Sequence, residues 1–156
     1  MIIGIDISQT AYFGGGVASY TYNLVKALLE IAPENRYVLF GASLRRLNLL
    51  RENLASLSKS NQLQLRLLPI PLLLMDLLWN RLHIIPIDTI LGKVDVFHTS
   101  DWLEPPSRVP KITTIHDMLI YKYPQYIDSN IISTQKRKLK WVASESKVII
   151  ADSQST

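Results

Sequence analysis

A chain of 156 residues, 47% hydrophobic and 19% charged, is long enough for one domain with a real core and too apolar to be disordered. It has no cysteine, which excludes disulfides and thiolate metal sites and fits a reducing compartment. A net charge of +4, from 17 Lys+Arg against 13 Asp+Glu, suits acidic partners such as phosphates or an anionic membrane face, and no more than that. The N-terminus lacks a basic segment followed by an apolar run and a small-residue cleavage site, so no signal peptide is expected and the expected compartment is the cytoplasm.

The opening run MIIGIDI predicts a buried strand. Val17 to Ile31 predicts a helix whose apolar face is Val17, Tyr20, Leu24, Ala27, Leu28 and Ile31, stopped by Pro33. Arg36 to Gly41 predicts a second strand, Ser43 to Leu57 a helix, and Gln62 to Leu68 a third strand. The most apolar region, Leu65 to Leu91, holds three prolines, and its longest uninterrupted run, Leu67 to Met75, falls far short of a bilayer span of roughly 20 residues. It predicts a strand end followed by a core helix over Pro71 to His83 rather than a membrane-surface helix. Lys93 to His98 and Arg108 to His116 predict two more strands, Asn130 to Ser146 a basic helix, and Lys147 to Ala151 a sixth strand. Strands alternating with helices predict an α/β domain of Rossmann-like, three-layer form with a mainly parallel sheet of six or seven strands.

In such a sheet ligands bind outside the carboxyl ends of the strands. The polar residues there are Ser8 to Gly16, His98 to Asp101, His116 with Asp117, and Asp152 to Ser155, and all are expected at one edge. The stretch GGGVASY, Gly14 to Tyr20, leads from strand to helix. Helix N-termini present free N–H groups to anions, so the loop is either a phosphate cradle or a plain turn. The dinucleotide pattern fails, because Ser19 stands in place of the third glycine and the second strand ends in GASLRR without an acidic residue.

The His116–Asp117 pair can act as base, donor or charge partner, or can simply cap a strand end. In FHTSDW, Trp102 can stack on a sugar or base, or pack onto the core. No spacing relates His98 and His116 in the manner of zinc sites, and no metal is expected. QKRKLK, Gln135 to Lys140, reads as a solvated basic face, with contact to anionic lipid as a lesser option. It lacks the aromatic interleaving of a nucleic-acid surface, so no nucleic-acid partner is expected.

Taken in order, GIDIS, GGGVASYTYNLVKALLEIAPENRYVLFG, DVFHTSDWLEPP, KITTIHDMLIYKYPQYI and KVIIADSQST resemble the N-terminal domain of retaining glycosyltransferases of family 4. The resemblance covers nearly the whole chain; Leu44 to Leu91 matches in pattern only. It implies a GT-B fold, in which two Rossmann-like domains enclose the active site, the first mostly holding the acceptor. It implies that Gly14, Gly15, Gly16 and Val17 meet the phosphates or sugar of a nucleotide-sugar donor, and that His116, followed by Asp117, lies at the reacting centre. Ser19, Tyr20, His98, Ser100, Asp101 and Ser153 become cleft candidates on the acceptor side.

The nucleotide sugar is a substrate, and no further cofactor is implied. The implied acceptor is a saccharide or a glycolipid, with peripheral membrane contact through the apolar segment and the basic helix, and self-association through the interdomain face. Two departures stand out. Ser19 replaces the Arg that many relatives carry before the loop tyrosine, and the donor domain with its paired glutamates is not in this sequence. The isolated chain is therefore expected to be inactive. The competing readings are half of a nucleotide- or NAD-binding oxidoreductase, counted against by the failed glycine pattern, and a non-catalytic interaction module that kept the fold.

Overall fold

Six short runs rich in Ile, Val and Leu form the sheet: β1 (Ile2–Asp6), β2 (Arg36–Ala42), β3 (Leu63–Leu68), β4 (Val96–His98), β5 (Lys111–Ile115) and β6 (Ser146–Ala151). All pairings are parallel, in the order β3-β2-β1-β4-β5-β6. The helices are α1 (Gly16–Ile31), α2 (Leu47–Asn53), α3 (Leu72–Met75), α4 (Ile87–Leu91), α5 (Leu119–Lys122) and α6 (Ser129–Glu145). The computed structural model describes every residue except Phe13, Ser58, Lys59 and Ser155.

A parallel sheet needs cover on both faces, and β2 shows how one strand supplies two cores. Tyr37 and Leu39 join Ile5, Ile7, Val25, Leu50 and Leu54 on one side, while Val38 and Phe40 join Met75, Trp79, Ile87 and Phe97 on the other. The close approach of β4 to β1 depends on Gly4. A Cβ there would lie 2.9 Å from Phe97 Cδ2 and 3.0 Å from Leu91 Cδ1. Gly4→Ala is expected to destabilise the fold by about 1–3 kcal/mol in urea unfolding; a loss under about 0.5 kcal/mol would mean that the Phe97 ring moves aside freely.

Several expected elements change on inspection. The buried stripe of α1 is Ala18, Thr21 and Val25, one residue on from the expected Val17, Tyr20 and Leu24, and Ile31 is 76% exposed. Small side chains let the helix lie close to the sheet, and Thr21 Oγ1 donates back to Val17 O at 2.9 Å. The helix expected from Ser43 to Leu57 runs only over Leu47–Asn53, since Ser43 Oγ accepts from Arg46 N and holds a turn. The expected strands over Lys93 to His98 and Arg108 to His116 shrink to β4 and β5. Asp95 closes the end of the pairing: its N donates to Ile2 O at 2.8 Å and its Oδ2, in place of a backbone carbonyl, accepts from Ile2 N at 2.7 Å. The short α4 and α5 were not expected from the pattern.

The expected helix over Pro71 to His83 is α3 continued as a π-helix, Asp76–Arg81. Met75 and Trp79 enter the core, but Leu73 is 77% exposed and Leu74 and Leu77 are also open to solvent, so this segment is amphipathic and only partly a core helix. No helix among the described residues is long and apolar enough to cross a membrane.

Beneath β5 lies a buried charge network. Lys111 Nζ meets Glu104 Oε1 at 3.0 Å and Glu145 Oε2 at 2.7 Å, and donates to Pro105 O at 2.8 Å. Every one of its charges has a partner, so it ties the loop after β4 to β5 and to the end of α6 at a fixed distance.

Candidate functional site

The strand order reverses beside β1, and the crevice of such a sheet opens there, between the carboxyl ends of β1 and β4. A cavity of about 490 Å³ occupies that position, lined by Ser8 past β1, Gly15, Gly16 and Val17 at the head of α1, and Ser100 and Trp102 past β4. Gly14 has φ +109°, a conformation that side-chain-bearing residues rarely adopt. Gly15 is the N-cap and brings no side-chain cap, and the first turn carries no acidic residue. The leading amides and the positive end of a 16-residue helix therefore open on the cavity without a competing anion from the chain.

The far wall is held from the other face of the sheet. Buried Asn80, in the π-helical turn, donates to Trp102 O at 2.8 Å and accepts from Glu104 N at 3.0 Å. Ser100 is buried, and its Oγ accepts from Leu103 N at 3.0 Å, so it shapes the loop as well as lining the cavity.

Next to the cavity, three strand ends and α1 converge. Thr114 Oγ1 lies 3.0 Å from both Tyr20 OH and His98 Nε2, forming a hydroxyl bridge between α1 and β4. The Tyr20 and His116 rings meet edge to face at 4.8 Å between centroids. His116 Nδ1 sits 2.8 Å from Asp152 Oδ2, just past β6. A carboxylate only accepts, so Nδ1 carries the hydrogen of this pair. Burial pushes the His98 imidazole down to about 4, helped by the Lys138 and His116 charges, so His98 is neutral at ordinary pH.

Among the expected positions, Tyr20, His98, Ser100, Asp101 and His116 come together at this edge. Asp117 is exposed, and its Oδ1 accepts from Leu119 N at 2.9 Å at the head of α5. Ser19 is exposed on α1. Ser153 is exposed and lies 2.9 Å from Thr156 through the two hydroxyls. Ser155 lies outside the described residues.

Three residues carry more than the sequence assigned to them. Asp152, expected at this edge within Asp152 to Ser155, is the partner of His116. Asp6, at the carboxyl end of β1, is 1% exposed; burial raises its carboxyl to about 6 against the opposing bonds from Ser8 and Ser100. Its Oδ1 accepts from Ser8 N at 2.8 Å, while its buried Oδ2 has no partner among the described residues. A carboxylate inside an apolar strand run was the available signal.

The third is Lys138, which corrects the reading of QKRKLK as a solvated face. Lys136 and Lys140 are exposed, but Arg137 turns inward to Asp76 at 3.3 Å and Lys138 is 1% exposed beneath the site. Within this tract, residues one position apart along α6 point in different directions, so one charge run spans both faces. Among the described residues there is no group of three or more His, Cys, Asp or Glu side chains placed to hold a metal ion.

An all-parallel sheet that reverses its order beside β1, with an uncapped glycine loop over the reversal, is a Rossmann-like α/β domain. The family model described as Glycosyltransferase Family 4 matches residues 14–156, nearly the whole chain, and the chain belongs to that family. Comparison with curated proteins and with solved structures returns no match.

Proposed function

We propose that this chain is the acceptor-side half of a retaining glycosyltransferase, moving a hexose from a nucleotide sugar to a saccharide or lipid-linked acceptor. The observation that carries this reading is the cavity at the strand-order reversal, lined by the glycine loop and the head of α1. Gly14 to Val17 meet the donor diphosphate or sugar through backbone N–H groups, which stabilise a departing anion without reorganising. His116, with Asp117 following it, stands at the reacting centre, and Tyr20, His98, Ser100 and Asp101 frame the acceptor side. Ser19 and Ser153 stand at the rim.

A lipid-linked acceptor suits the exposed Leu73, Leu74 and Leu77, which continue from Leu72 in the cavity wall, together with the exposed Lys136 and Lys140. Val148, Ile149 and Ile150 are exposed on edge strand β6, a surface suited to a donor-binding domain or to a second copy.

The test uses the protein encoded by the reading frame that contains this chain. It is incubated with nucleoside-diphosphate hexoses and with saccharide and glycolipid acceptors. Transfer with retention of anomeric configuration is expected from that protein, and none from the 156-residue chain by itself. No nucleoside diphosphate released from any donor would favour a non-catalytic module; clear turnover by the chain alone would remove the shared-site part of the reading.

A further inference from the structure

Behind the glycine-loop cleft, between the β4 and β5 loops and α6, lies a second cavity of about 170 Å³. Asp101, Trp102, Asp117, Gln135 and Lys138 supply its polar and aromatic lining, over a floor of Ile and Leu side chains. It is well below the roughly 300 Å³ at which ordinary ligand pockets begin, so it has room for one ring and not for a chain of rings.

Two charges in this wall are left without partners. Lys138 is 1% exposed as a residue and lines the cavity; its Nζ is not one of the fully enclosed unpartnered atoms, so it keeps some open surface, yet among the described residues it makes no hydrogen bond and no ion pair. The Asp101 carboxylate likewise has neither. Each is close enough to feel the other: Asp101 acts on Lys138 together with Glu104, and Lys138 acts on Asp101 together with His116, Asp117 and Asp152. Glu104 is committed to Lys111 and cannot neutralise Lys138. Burial drives the Lys138 ammonium downward and the Asp101 carboxyl upward, the signature of two ionic groups short of solvent. Leaving a buried charge without a hydrogen bond costs stability.

The missing partner is defined by what the pair can do. An ammonium only donates and a carboxylate only accepts, so one hydroxyl between them satisfies both by accepting from Lys138 and donating to Asp101. A ligand anion meets Asp101 and Asp117, and a ligand cation meets Lys138. Neighbouring hydroxyls find the Gln135 amide, whose Nε2 already donates to Asp101 O at 3.1 Å. Trp102 and the apolar floor suit the C–H face of a ring.

We propose that the cavity between the β4 and β5 loops and α6 is a subsite for a single neutral pyranose ring, read by a hydroxyl bridging Lys138 and Asp101. Its role as an acceptor subsite rests on the transferase reading; its binding of a sugar does not.

The test is a titration of the ¹⁵N-labelled chain with methyl α-D-glucopyranoside, methyl α-D-mannopyranoside and methyl β-D-galactopyranoside, with sodium acetate as the anion probe. The Gln135 side-chain amide and the Trp102 indole N–H are expected to shift with at least one pyranoside and not with acetate. Lys138→Met and Asp101→Asn are each expected to weaken that binding by roughly 10- to 100-fold. No shift with any of the three pyranosides, an equal response to acetate, or undiminished binding in both variants would overturn the proposal. Sugar transfer without a pyranoside signal here removes this subsite alone. A pyranoside signal without transfer removes the transferase reading and leaves the subsite.

Discussion

Replacing His116 by alanine is expected to lower sugar transfer by roughly 10²- to 10³-fold in the protein that carries this chain, with little change in acceptor KM. The ring is held on two sides, by Asp152 at 2.8 Å and by the Tyr20 ring at 4.8 Å between centroids, and the His116 backbone carbonyl accepts from the Thr156 hydroxyl at 3.2 Å. With Nδ1–H fixed on Asp152, Nε2 is aimed rather than free to rotate, and aim decides whether a polar group meets the sugar as charge develops. Asp152 is then a positioning residue. Asp152→Ala is expected to lose up to about 10²-fold in kcat and to change the pH profile through the altered imidazole, while Asp152→Asn, which can still accept from Nδ1–H, recovers part of the loss. A His116→Ala protein that kept more than about a third of its turnover would remove His116 from the reacting centre.

Asp6→Asn is expected to stabilise the fold at pH 7 by up to about 3 kcal/mol. The folded-state value of Asp6 is raised from 3.8 to about 6, so at pH 7 the native protein carries a carboxylate that burial disfavours. The native state binds the extra proton, and stability therefore falls as pH rises from about 3.8 through about 6. His98 has the opposite sign. Its value is depressed from 6.5 to about 4, so stability is full above 6.5 and is lost as pH falls toward 4. Across the shared window the two slopes oppose, and the wild-type protein should show little change in urea midpoint there. Removing Asp6 exposes the His98 slope, so the variant should gain most at neutral pH and lose that gain on acidification. An unchanged midpoint at pH 7 would mean that the Asp6 carboxylate is solvated or paired in solution.

The alternation of strand and helix was legible because apolar runs closed by Gly, Pro and polar residues are local signals. That is why the strand-end residues His98, Asp101, His116 and Asp152 could be placed at one edge before any geometry was known. The rotation of α1 was not legible. Val17, Tyr20 and Leu24 make a better apolar stripe than Ala18, Thr21 and Val25, but close packing against a sheet favours small side chains, and Tyr20 is drawn to Thr114. Lys138 was misread for a related reason. Charge runs are solvated faces in most helices, and nothing in QKRKLK marks which of its positions α6 turns toward the β4 loop. The π-helical turn at Asp76–Arg81 carries no sequence signature of its own; it follows from Trp79 and Asn80 both being drawn inward.

The pairing of β1 has a consequence for how the chain is made. Its flank on β4 includes the bond from Ile2 N to Asp95 Oδ2, across 93 residues of chain, and its other flank waits for β2. Within this chain β1 is made before either of its neighbours yet lies inside the finished sheet, and it stays half-paired until β4, Val96–His98, has been synthesised. At roughly 5–20 residues per second that leaves an Ile-rich edge open for several seconds. Domains built from distant parallel pairings fold slowly once released, so the yield of this protein in cells should depend on chaperones and on translation speed ahead of β4.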